Sequence, residues 1–159
     1  MNFKGRPQFT AYSAGSHPTG KVRPEALRQL EVAHIATGGF RSKGWDEFSK
    51  PDARRLDFVF TLCDNAANEV CPAWPGQPIT AHWGVPPPAA VVGTPEVQKA
   101  FRDAYFLLDR RISLFLCLPH GSIDRLALKK ELDNIGHQLC ERYLNHILSA
   151  SGDCGKLGA

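Results

Sequence analysis

Leu56-Asp57-Phe58-Val59-Phe60-Thr61-Leu62-Cys63 is the segment that most restricts the fold of this chain. It is nearly continuous in β-branched and aromatic residues, with no polar-apolar alternation. A strand of that kind is covered on both faces, which is the situation in a parallel sheet flanked by helices. Ile79-Thr80-Ala81-His82-Trp83 is a second, shorter strand, and Phe9-Thr10-Ala11-Tyr12 a third, ended by the turn-rich Ser13 to Gly20. Pro24 and Glu25 open a helix in which Leu27 and Leu30 share a face, and Gly38-Gly39 is expected to end it. Thr94-Pro95-Glu96 opens another, with Val97, Phe101, Ala104, Leu108, Ile112 and Phe115 at helical spacing until Pro119-His120-Gly121. A last helix from Asp124 carries Leu128, Leu132, Ile135, Leu139, Tyr143 and Ile147 on one face. This order is that of an α/β domain, expected over residues 1–148 with a flexible tail at 149–159.

Charge narrows the functional classes. Nineteen Lys and Arg against 16 Asp and Glu leave a formal charge of +3, too small and scattered for a nucleic-acid surface. The doublets Arg54-Arg55, Arg110-Arg111 and Lys129-Lys130 each lie beside an acid and read as solvated faces. No apolar run reaches the roughly 18 residues of a membrane span, and no signal-peptide core follows Met1, so the expected location is the cytoplasm.

Five cysteines, an odd number, do not form a disulfide framework of the secreted type. Only Cys63 and Cys71 are near each other in sequence, one at the end of the apolar strand and one before the loop Pro72-Ala73-Trp74-Pro75-Gly76. In a reducing compartment such a pair is more often redox-active or metal-binding than permanently bridged. Two half-buried structural thiols are the plain alternative. A zinc site completed by His82 fits no common ligand spacing. Cys117 and Cys140, placed in helices, and Cys154, in the tail, read as incidental. His17 and His82 have polar neighbours suited to an anion, and Ser13 and Ser16 follow the first strand, where open α/β sheets bind ligands. Trp45, Trp74 and Trp83 are expected to pack around the site, and Asp64 and Asn65 to orient a reacting group or form an Asx turn.

Five stretches carry a family resemblance: Ala11 to Gly20 (AYSAGSHPTG), Arg41 to Phe48 (RSKGWDEF), Leu56 to Gly76, Ala81 to Val85 (AHWGV) and Ala100 to Tyr105 (AFRDAY). Together they resemble the arsenate reductases built on the low-molecular-weight protein tyrosine phosphatase fold. That resemblance implies a three-layer α/β fold around a parallel sheet. It also implies a phosphate loop, a Cys followed six positions later by Arg, whose backbone N–H groups and guanidinium hold the oxyanion and lower the thiol pKa. In the family's relay the loop thiolate attacks arsenic and a second Cys attacks the first, releasing arsenite. A third Cys then carries the disulfide outward to a thiol reductant. By resemblance Cys63 is the second station and Cys71 the third.

Two departures stand out. The residues six positions beyond the first four cysteines are Glu69, Gln77, Ile123 and His146, never Arg, and Cys154 is too near the end. The match begins just upstream of the family's second strand. The first, central strand, the loop and its helix are therefore expected to be missing together, as from an internal Met taken for the start or a shortened gene. The acid loop reads Trp83-Gly84-Val85-Pro86-Pro87-Pro88-Ala89, with Pro87 in the place of Asp and only Asp64 and Glu69 near in sequence to replace it. The expectation is an arsenate reductase-like protein that is inactive as this chain, with no bound cofactor or metal. Its implied partners are arsenate or a related oxyanion, a thioredoxin or glutathione/glutaredoxin system, and further copies meeting through exposed strand edges. A non-catalytic phosphatase-fold binding partner and a low-molecular-weight tyrosine phosphatase are the alternatives.

Overall fold

The computed structural model describes residues 1–62, 73–88 and 94–150, with side chains up to residue 137. Within these, β1 (Phe58–Thr61) and β2 (Ile79–His82) pair in parallel, Phe58 opposite Ile79 and Thr61 opposite His82. Three helices accompany them: α1 (Pro24–Val32), α2 (Thr94–Leu116) and α3 (Arg125–Ala150), with a 3₁₀ turn at Trp45–Phe48. The α/β reading of the sequence holds. The chain re-enters β2 through Trp74-Pro75-Gly76-Gln77, where Gly76 at φ 89 supplies the left-handed residue that follows a turn proline.

Alternation along β2 sets the core. Ile79 and Ala81 are buried on one face, while Thr80 and His82 are exposed on the other. The buried face meets Leu128, Leu132 and Ile135 of α3, with Phe115 of α2 closing the cluster. All four belong to the helical faces marked by apolar spacing in the sequence. Phe60 stacks on Trp83 with ring centroids 4.0 Å apart, and Phe58 meets Phe115 edge-on at 5.1 Å. The last helix starts where its sequence places it, and Asp124 caps it: Oδ1 accepts the N–H groups of Leu126 (2.9 Å) and Ala127 (3.0 Å). Gly136 lies against the backbone of His82, and a Cβ there would run into the His82 carbonyl and the Trp83 ring. That glycine lets α3 approach β2 closely.

Three expectations are corrected. Phe9–Tyr12 is not a strand, because its hydrogen-bonding groups and side chains are engaged elsewhere. The Asn2 amide takes both main-chain groups of Ala11, accepting its N–H at 2.6 Å and donating to its carbonyl at 2.8 Å. Phe9 turns its ring onto Phe115, 5.0 Å between centroids. The only trace of pairing here among the described residues is a parallel bridge between Gly15 and Gly44.

Helix α1 stops before Gly38-Gly39. His34 adopts φ 56, its N–H bonds to the Glu31 carbonyl (2.9 Å), and the Ile35 N–H reaches back to Leu30 (2.9 Å). This is the two-bond C-terminal motif in which glycine is the usual left-handed residue. Cys117 lies one residue beyond α2 rather than within it, and is exposed. His34 bears a Cβ in a conformation that costs about 1 kcal/mol in any L-residue. His34→Gly is therefore expected to raise unfolding stability in urea by about 0.5–1 kcal/mol, and an unchanged or lowered midpoint would contradict the assignment.

Candidate functional site

Ligands in parallel α/β sheets bind beyond the carboxyl ends of the strands. Here that end is formed by Thr61-Leu62, by His82 and by the segment Trp83 to Pro88. The parallel register puts Thr61 beside His82, and their side chains meet, Thr61 Oγ1 to His82 Nδ1 at 2.8 Å. Cys63 is the residue after Leu62, and Ala73 follows Pro72, two positions beyond Cys71. Cys63, Asp64, Asn65, Glu69 and Cys71 themselves lie outside the described residues, as does Cys154. Cys140 falls in α3, beyond the side chains described.

The segment after β2 is held from three sides. Trp83, 2% exposed, donates its indole N–H to the Leu132 carbonyl at 3.0 Å. The Val85 N–H returns to the Leu62 carbonyl at 2.6 Å, carrying the pairing past the end of β2. Arg111, fully buried, donates one guanidinium nitrogen to the Trp83 (2.9 Å) and Gly84 (3.0 Å) carbonyls. Its other terminal nitrogen reaches the Gly136 carbonyl at 3.0 Å. One side chain thus ties α2 to the loop and to α3.

Arg111 overturns the reading of Arg110-Arg111 as a solvated doublet. Neighbouring helical residues point about 100° apart, so one arginine faces water while the other falls on the stripe of Ala104, Leu108 and Phe115. That position on an apolar stripe was the available signal.

Pro87 is exposed, and Val85 to Pro88 face α2 across a cavity of about 90 Å³ that Asp103 also lines. Asp103 is ion-paired to Lys99 at 2.6 Å. It is the described carboxylate lining the cavity beside Pro87, and the sequence reading did not single it out. Of the tryptophans, Trp45 and Trp74 meet edge to face at 6.4 Å, whereas Trp83 belongs to the core. His17 is exposed and bonds Ser16 Oγ through Nδ1 at 3.1 Å. Among the described residues, no three His, Cys, Asp or Glu groups gather in a metal-binding cluster. No helix among them is long and apolar enough to cross a membrane.

A family model described as low molecular weight phosphotyrosine protein phosphatase matches residues 2–130. The chain belongs to this family. An arsenate reductase of Halalkalibacterium halodurans is 34% identical over 109 residues, which are 68% of this chain and 75% of the relative. An arsenate reductase of Oceanobacillus iheyensis is 30% identical over 109 residues, with the same coverage. The family match runs through both cysteines of the pair and through the loop anchored by Arg111.

Across the Gly15–Gly44 bridge, the Gly15 N–H donates to the Lys43 carbonyl (3.1 Å) and the Trp45 N–H to the Gly15 carbonyl (3.1 Å). Close by in sequence, Arg41 and Glu47 form a two-pronged ion pair. The guanidinium hydrogen bonds hold the Glu47 carboxyl below its usual range, with added attraction from Arg41, Lys43 and Lys50. Because the folded value is depressed, this contribution is present above the ordinary Glu pKa of about 4.3 and fades as pH falls through the lower folded value. Both groups are solvent-exposed, so its size is small. A ¹³C NMR titration should place the Glu47 midpoint below that of an ordinary Glu and return it to normal in Arg41→Ala; an ordinary midpoint in the native chain would disprove the pairing in solution.

Proposed function

We propose that this chain carries the thiol relay of an arsenate reductase, with Cys63 and Cys71 as its two-electron couple. The observation that carries the reading is the pair itself: phosphatase chemistry on this fold requires no second and third thiol, and both relatives bear the arsenate reductase name. The electron balance is simple. Two thiols give up two electrons and two protons as one disulfide forms; As(V) becomes As(III), and one arsenate oxygen leaves as water. A dithiol reductant of the thioredoxin or glutaredoxin type then reopens the disulfide.

Turnover also needs an oxyanion cradle and an acid. No cysteine in this chain is followed six positions later by Arg, and Pro87 has no proton to give. In our reading the chain as given therefore does not reduce arsenate by itself, and the cytoplasm is the compartment suited to its free thiols. Pro87 also favours a second reading, a non-catalytic thiol-bearing partner of a complete enzyme.

The test has two parts. Mild diamide oxidation followed by peptide mass mapping should yield a Cys63–Cys71 disulfide that thioredoxin reduces, worth about 2–3 kcal/mol of stability from loop closure. Arsenate with thioredoxin, its reductase and NADPH should give no arsenite. Both thiols remaining freely alkylated after oxidation would sink the relay, and steady arsenite release would sink the claim that the chain is inactive alone.

A further inference from the structure

We draw no further inference here: the strongest candidate, the cavity of about 90 Å³ between Val85 to Pro88 and α2 with Asp103 on its wall, belongs to the site already described, and nothing in the structure shows what fills it.

Discussion

One buried guanidinium joins α2, α3 and the loop that follows β2. Arg111 satisfies three carbonyls on two elements, Trp83 and Gly84 after β2 and Gly136 in α3, from its own position in α2. Taking an arginine out of water costs several kcal/mol. Charge-assisted hydrogen bonds return about 1.5–3 kcal/mol each, so the net gain is modest while the penalty for removal is large. The planar fork explains the choice of arginine: two carbonyls on one nitrogen and a third on the other match its geometry, which the point charge of lysine does not. Gly136 contributes by its lack of a side chain, allowing its own carbonyl and the His82 backbone to come close together.

This clamp links the core to the site. Trp83 is both the largest core residue after β2 and the first residue of the loop in which proline replaces the expected acid. Its ring lies on Phe60 and its indole on Leu132, so the loop leaves the sheet from a fixed point. On the other face of the sheet, the Thr61–His82 pair marks the strand ends from which the chain runs on to Cys63.

The framework was legible where periodicity and burial coincide. The uninterrupted run from Leu56 located β1 and its parallel pairing, and Asp124 located the start of α3. The apolar spacing of Leu128, Leu132 and Ile135 found the face that covers β2. Local chemistry hid the rest. Phe9–Tyr12 has the composition of a strand, yet Asn2 takes the hydrogen bonds that a neighbouring strand would need. His34 ends α1 in a conformation usually given to glycine, so the Gly-Gly pair further on misled. Arg111 was concealed by its neighbour, since a basic doublet reads as surface until helical rotation is applied. The cysteine pair was singled out from spacing and family motif and lies outside the described residues, whereas the Thr61–His82 contact depends on strand register, which no single stretch of sequence displays.

Arg111 is the common tie between α2, α3 and the loop after β2. Urea unfolding of Arg111→Met measures that tie most directly, since methionine fills similar space but donates no hydrogen bond. Two buried carbonyls and one half-buried carbonyl left without donors should lower stability by about 3 kcal/mol or more. A midpoint and slope unchanged from the native chain would contradict the account.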